Sequence, residues 1–165
     1  MRLKRRWGFC TNGRDDMPVM KKQQRFIDDF NELDDWFMQY EYLIALSCEM
    51  PGLPDEEKID THKIAGCQSN IWVVITSEDG ALSMRSDSES LIIKGILAVI
   101  ESIFNGEALS QIAGMAVTFI EKTSLREQLS TERSGGILRI IEMIRAFSNG
   151  LPMEGYVQET QPRSL

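Results

Sequence analysis

The stretch that decides the fold is residues 71–85, IWVVITSEDGALSMR. Its first six residues are β-branched or aromatic with no polar alternation, which predicts a strand covered on both faces. The dipeptide Asp79-Gly80 is typical of a hairpin turn, because glycine adopts positive φ without steric cost. The last five residues place Leu82 and Met84 on one face, which predicts the returning antiparallel strand.

Upstream of this hairpin, apolar residues recur at helical spacing. They predict one helix over residues 21–33 and a second from about Asp34 to Cys48. A short third strand is predicted over residues 62–65. The apolar stripe predicted for the second helix consists of Trp36, Phe37, Tyr40, Leu43, Ile44 and Ser47.

Downstream of the hairpin, Ser86 and Glu89 fit a capping box, the side-chain pattern that opens many helices. The helix that follows is almost wholly apolar and ends near Phe104. It is too short, and at Lys94 and Glu101 too charged, to span a bilayer. We therefore predict that it is the central core helix and that the protein has no membrane partner.

The rest of the chain predicts further helices, at residues 108–114 and 115–123 and then from a cap at Ser130 to a stop at Gly150 and Pro152. The predicted fold class is thus α+β. A small antiparallel sheet of about three strands packs against several helices.

Charged side chains are distributed unevenly along the 165 residues, although the net charge of the whole chain is only −7. The first 14 residues carry five basic and no acidic side chains, which leaves 13 basic against 25 acidic residues, a net −12, in the remainder. We expect a basic, flexible N-terminal extension at 1–20, a single domain at 21–150 and a polar, flexible tail at 151–165. The acidic balance argues against a nucleic-acid partner, which requires a basic face.

Cysteine and histidine are scarce: the chain has Cys10, Cys48, Cys67 and a single histidine, His62. An odd number of cysteines excludes a complete disulfide framework, and no metal site is predicted from so few scattered ligands. A Ser-His-Asp hydrolase would have to use His62, but the sequence has no GxSxG motif to supply the nucleophilic serine. Such sparse cysteines are typical of a reducing compartment, so we expect a cytoplasmic protein.

Cys67 lies in IAGCQSN (residues 64–70), just before the first strand. A thiol on a loop carried by a rigid strand can be presented to a partner, and His62 and Lys63 are possible donors to its thiolate. The alternative is an inert cysteine, since free cysteines are among the most buried residue types. Composition alone favours that alternative.

Several spaced motifs together resemble the SufE family, the sulfur-accepting partners of cysteine desulfurases. They are GCQSNIW at 66–72, SDSES at 86–90 and IIKGI at 92–96, with Leu53-Pro54 upstream and LSTER at 129–133 followed by Gly136-Ile137 downstream. The resemblance covers roughly residues 24–148. Because of this resemblance, we favour a functional thiol at Cys67 over the inert cysteine that composition alone favours.

The resemblance implies a SufE/NifU-like fold and a sulfur carrier rather than a stand-alone enzyme. Cys67 would take persulfide sulfur from a SufS-like or CsdA-like cysteine desulfurase, stimulate that enzyme, and deliver sulfur to downstream iron–sulfur scaffold proteins. The carrier would need no cofactor of its own, because pyridoxal phosphate belongs to the desulfurase.

The same resemblance assigns supporting or partner-binding roles to residues around the acceptor: Arg133, Gln68, Ser69, His62, Asp87 and Glu89. For Asp87 and Glu89, a role in capping the following helix is an equal alternative. The sequence departs from the family pattern at His62, Thr131 and Gly135. Two other functions stay open, namely an activator that carries no sulfur and an iron–sulfur scaffold of the related fold.

Overall fold

The structure, a computed structural model, describes residues 17–153 and 155–157. Within them the chain is α+β, as predicted. The elements are α1 (Val19–Asn31), α2 (Trp36–Glu49), β1 (Ile71–Glu78), β2 (Ala81–Ser88), α3 (Leu91–Phe104), α4 (Leu109–Ala113), α5 (Leu125–Gln128) and α6 (Thr131–Ser148), with short 3₁₀ helices at Asp55–Glu57 and Asp60–His62.

β1 and β2 form an antiparallel hairpin that runs from the pair Ile71–Ser88 to the pair Glu78–Ala81. Asp79 and Gly80 make the turn with φ of 51° and 78°. Both residues adopt the left-handed backbone conformation, which a tight two-residue turn between twisted strands requires. The predicted turn is therefore confirmed, although both strands continue further than their apolar stretches suggested.

The predicted third strand at 62–65 is wrong. Residues up to His62 form a 3₁₀ turn, and the Nδ1 atom of His62 lies 2.7 Å from the carbonyl oxygen of Glu57. Only an isolated bridge joins Lys63 to Trp72. In the described ranges the sheet thus has two strands rather than about three.

β1 is covered on one face only, contrary to the prediction of a strand buried on both sides. Ile71 and Val73 are buried, whereas Trp72 and Val74 are partly exposed. In place of an apolar layer, the ammonium of Lys58 lies 5.7 Å from the ring centroid of Trp72. A cation over an indole face is favourable and leaves the charge close to water.

α3 is the central core helix, as predicted, since Ile93, Ile96, Leu97 and Ile100 are fully buried. α1, α2 and β2 pack around it. α2 approaches it closely at Gly95, where a methyl group would collide with the backbone carbonyl of Leu43.

The predicted capping box is wrong. Ser90, not Ser86, caps α3, and its hydroxyl accepts from the N–H of Ile93 at 3.4 Å. Ser86 lies within β2 and donates to Glu101 Oε1 at 2.6 Å. Burial raises the pKa of Glu101 to about 7, against the lowering effect of this hydrogen bond. Ser86 therefore joins the sheet to the core helix.

The stripe predicted for α2 is also partly wrong. Trp36 and Phe37 are 67% and 55% exposed, and Tyr40 is exposed as well. Polar Gln39 occupies the inward position at this end of the helix. Its amide donates to the carbonyl of Leu33 at 3.3 Å and accepts from other side chains. A buried amide with satisfied hydrogen bonds can replace an apolar residue that periodicity would favour.

The helix predicted over 115–123 is absent from the described chain, whereas the one at 108–114 is confirmed as α4. Gln23 of α1 explains the difference. It is buried, and it accepts from the N–H groups of Thr118 and Phe119 and donates to the carbonyl of Ala116. Backbone groups that bond to a distant side chain in this way cannot also close helical turns.

α6 begins as predicted, because the hydroxyl of Ser130 accepts from the N–H of Arg133 at 3.4 Å. Part of the predicted tail is bonded to the domain. The carbonyl of Tyr156 accepts from the N–H of Ala65 at 3.1 Å, and Val157 bridges to Ile64.

The division into extension, domain and tail stays a prediction. Most of the predicted extension, and the chain after Val157, lie outside the described residues. No described helix is both long enough and apolar enough to cross a membrane.

Candidate functional site

Cys67 lies on the loop between the Ile64 bridge and β1. Gly66, just before it, has a φ of 74°, so the chain turns here through a conformation that favours glycine. The Cys67 side chain is half-buried, and its thiol points to the carbonyl oxygen of Ala65 at 3.9 Å. The loop thus holds the sulfur at the boundary between core and solvent.

The sulfur rests against the backbone of α6 at Gly136. A Cβ atom placed on Gly136 would lie 2.5 Å from Cys67 Sγ and 3.4 Å from Ile71 Cδ1. Because real Cβ atoms do not come so close to a sulfur, no other residue fits here without a shift. Gly136 therefore provides the space that the sulfur occupies.

Two opposed effects act on the acidity of this thiol. Burial raises the pKa of Cys67 above its ordinary value, and the positive charge of Arg139 lowers it, with burial the larger effect. The surroundings of Cys67 in the free protein therefore disfavour the thiolate, which is the nucleophilic form.

No described hydrogen bond or ion pair joins the Cys67 sulfur to the basic residues expected to support it, which are His62, Lys63 and Arg133. His62 is tied to Glu57, as described above. Arg133 is exposed in the first turn of α6, one helical turn before Gly136. Gln68 is exposed and Ser69 half-buried on the loop itself.

The end of the loop is clamped to the end of β2. The hydroxyl of Ser88 donates to the carbonyl of Asn70 at 2.8 Å, and the side chain of Asn70 donates to Glu89 Oε2 at 2.8 Å. Glu89 therefore fixes the loop rather than capping α3. The clamp places Cys67 between two anchored points, the Ile64 bridge and Asn70.

Asp87 is buried beside this clamp and joins β2 to the segment that follows α2. Its carboxylate accepts from the N–H of Leu53 at 3.1 Å and pairs with Lys94 at 3.2 Å and Lys58 at 3.3 Å. Gly52, with a φ of 69°, leaves room for it, since a Cβ atom there would lie 2.7 Å from Asp87 Oδ2. The role of Asp87 in this structure is to position the backbone.

The stability of the protein is expected to depend on the charge of Asp87. Burial acts to raise the pKa of this carboxyl, but hydrogen bonds from Leu53, Lys94 and Ser88 outweigh it and lower the pKa. Ionised Asp87 therefore stabilises the fold above about pH 4, and this stabilisation is lost as pH falls further. We expect Asp87→Asn to lower the free energy of unfolding by about 1–3 kcal/mol at pH 7 and by less near pH 3.

Urea denaturation at the two pH values measures this effect. Asp55→Asn is the matched control, because the Asp55 side chain is 98% exposed although it also pairs with Lys58. A control change within about 0.5 kcal/mol is expected. Equal destabilisation by both variants at pH 7 would contradict the anchoring role.

Sequence reasoning missed three contributors to the site. Asn70 stands in the motif without a predicted role, and Gly136 enters only through the family resemblance. No motif in the sequence points to Arg139, which is half-buried on α6. The contacts that define these residues join segments far apart in sequence, so no local pattern signals them.

The other cysteines differ in their surroundings. Cys48 is exposed at the end of α2. Cys10 lies outside the described residues. In the part of the chain that the structure describes, no group of three or more His, Cys, Asp or Glu side chains is arranged to hold a metal ion.

Comparison with known proteins shows the family to which the chain belongs. The family model for the Fe-S metabolism associated domain (SufE) matches residues 24–148. The chain belongs to the SufE family. The family predicted from the motifs is thereby confirmed, and membership implies a role in iron–sulfur metabolism.

Individual relatives agree with this membership. An uncharacterized SufE-like protein of Rhizobium etli is 34% identical over 131 residues, covering 76% of this chain and 88% of that protein. Another, from Rhizobium meliloti, is 32% identical over 136 residues, covering 79% and 97%. The solution structure of a hypothetical protein from Thermus thermophilus shares the fold, with a TM-score of 0.65 at 15% identity over 78% of this chain and 94% of that one.

Proposed function

We propose that this SufE-family chain is a sulfur carrier that accepts persulfide sulfur on Cys67. The observation that carries the proposal is the position of the Cys67 sulfur. It is half-buried against Gly136, on a loop anchored at both ends. Such a thiol is shielded from bulk solvent yet lies next to exposed residues that a partner can contact.

The transfer is a thiol exchange with sulfur as the transferred group. The Cys67 thiolate attacks the outer sulfur of a cysteine persulfide on the partner. A new S–S bond forms as the partner's S–S bond breaks, and the partner's thiolate leaves and takes up a proton. One S–S bond replaces another, so the step needs no external oxidant or reductant.

The donor that fits this chemistry is a cysteine desulfurase of the SufS-like or CsdA-like type, and the receiver is a downstream iron–sulfur scaffold protein. Pyridoxal phosphate serves the desulfurase, and the carrier works in the cytoplasm without a cofactor of its own. Gln68 and Arg133 are the residues that we expect the desulfurase to contact, because both are exposed on segments that adjoin Cys67. Arg133 would contact the desulfurase through charge-assisted hydrogen bonds.

Desulfurase turnover tests whether Cys67 carries the activity. We expect the wild-type protein to accelerate cysteine consumption by the desulfurase, because removal of the enzyme's persulfide frees it for the next cycle. Cys67→Ser should abolish the acceleration, since a hydroxyl cannot accept sulfur in this exchange. Steady-state rates of alanine release measure the effect.

Cys48→Ser is the matched control and should stimulate turnover like the wild type, because Cys48 is exposed on a different element. Full stimulation by Cys67→Ser would overturn the carrier proposal in favour of an activator that carries no sulfur. No observation on the described residues favours the iron–sulfur scaffold alternative, so it is not proposed.

A further inference from the structure

Arg139 is a basic residue of α6 whose guanidinium lies beside the Cys67 loop. Its Nη2 atom is 3.9 Å from the position that a Cβ atom on Gly66 would occupy. Arg139 follows Gly136 by three residues, and residues at this spacing are neighbours on one side of a helix. Because Gly136 contacts the sulfur, the guanidinium and the sulfur lie on the same side of α6.

The sulfur needs such a neighbour because its charged form is disfavoured where it sits. Burial opposes ionisation, while attack on a persulfide requires the anion. A guanidinium carries a permanent positive charge in proteins, so it can offset this cost. The half-buried position of Arg139 keeps its charge less screened than that of an exposed arginine.

No described hydrogen bond or ion pair joins the other charged groups around the loop to the Cys67 sulfur. On the hairpin, Glu89 accepts from Asn70 and Asp87 pairs with lysines. On the preceding segment, His62 lies against the carbonyl of Glu57 and Lys63 is half-buried. On α6, Arg133 is exposed. Arg139, in contrast, lies beside the loop on the same side of α6 as the sulfur.

We propose that Arg139 is the cation that stabilises the anionic sulfur of Cys67, as the thiolate before transfer and as the persulfide anion after it. This role deepens the proposed function and rests on it. It is distinct from that of Arg133, which the family resemblance places at the contact with the desulfurase. Arg139 acts on the sulfur itself, and Arg133 on the partner.

Alkylation of the free protein by iodoacetamide across a range of pH tests the proposal without any desulfurase. A Cys10→Ser, Cys48→Ser background leaves Cys67 as the single reacting thiol. Arg139→Gln is expected to move the midpoint of the rate profile to higher pH. It should lower the alkylation rate at pH 7 by about 3–10-fold. Arg139→Lys, which keeps the charge, should fall between Arg139→Gln and the background protein.

Arg145→Gln is the control, because position 145 lies on the opposite side of α6 from Gly136 and Arg145 is exposed. Its pH profile should match that of the background protein. An unshifted profile for Arg139→Gln would overturn the proposal, as would an Arg139→Lys variant no different from Arg139→Gln. Since the readout involves no sulfur transfer, a failure here is distinguishable from a failure of the carrier function.

Discussion

Gly136→Ala is expected to slow sulfur acceptance by Cys67 by a factor on the order of 100, because displacement of a reacting group by about 1 Å has effects of this size. The added methyl carbon would lie 2.5 Å from Cys67 Sγ, so either the sulfur or α6 must move. Overpacking of this kind should also lower the free energy of unfolding by about 1–3 kcal/mol. Single-turnover transfer from a persulfidated desulfurase and urea denaturation measure the two effects.

Gly135→Ala is a closely matched control. Gly135 precedes Gly136 in the same helix, is exposed, and has no heavy atom within 4 Å of the position of an added Cβ. Alanine there should raise stability by about 0.5–1 kcal/mol, since glycine is unfavourable in a helix interior, and leave sulfur transfer unchanged. If Gly136→Ala behaved in the same way, the close packing of the sulfur against α6 would be refuted.

The largest effect on stability is expected for Gly95→Ala. A methyl group on Gly95 would collide with the backbone carbonyl of Leu43, where α2 crosses the core helix α3. A backbone group cannot rotate away as a side chain can, so the two helices must separate. We expect the free energy of unfolding to fall by about 3 kcal/mol or more.

Urea denaturation measures this effect as the free energy of unfolding of Gly95→Ala and Gly135→Ala. The two variants make the same chemical change at two helical sites. The two variants should move stability in opposite directions. Equal stability of Gly95→Ala and the wild type would mean that α2 and α3 are further apart than the structure describes.

Local signals determined those parts of the fold that the sequence predicted well. The hairpin turn follows from the backbone preference of Asp79-Gly80, and the start of α6 from the capping hydroxyl of Ser130. The core position of α3 follows from its apolar residues. Each of these features depends on residues adjacent in the chain.

Predictions failed where a distant partner overrides a local preference. Gln23 hydrogen-bonds the carbonyl of Ala116 and the N–H groups of Thr118 and Phe119. Gln39 occupies the buried position on α2 where periodicity favours Trp36 or Phe37. Likewise, Ser86 fits a capping box, but it lies in β2 because pairing with β1 continues the strand through Ser88. No single-sequence pattern contains these contacts.

The candidate site shows the same division. Cys67 and its loop could be singled out from the motifs, whereas the hydrogen bond from Asn70 to Glu89 follows only from the fold. Gly136 and Arg139 acquire their significance only when α6 packs against the loop. His62, adjacent to the motif in sequence, has its Nδ1 atom against the carbonyl oxygen of Glu57, a contact that the motif does not reveal.

Mass spectrometry of the carrier after incubation with a cysteine desulfurase and cysteine tests the central claim most directly. The account predicts that the protein gains the mass of one sulfur atom, that peptide mapping places it on Cys67, and that Cys67→Ser gains none. Loading on Cys10 or Cys48 to the same extent as on Cys67, or no loading of Cys67 at all, would contradict it.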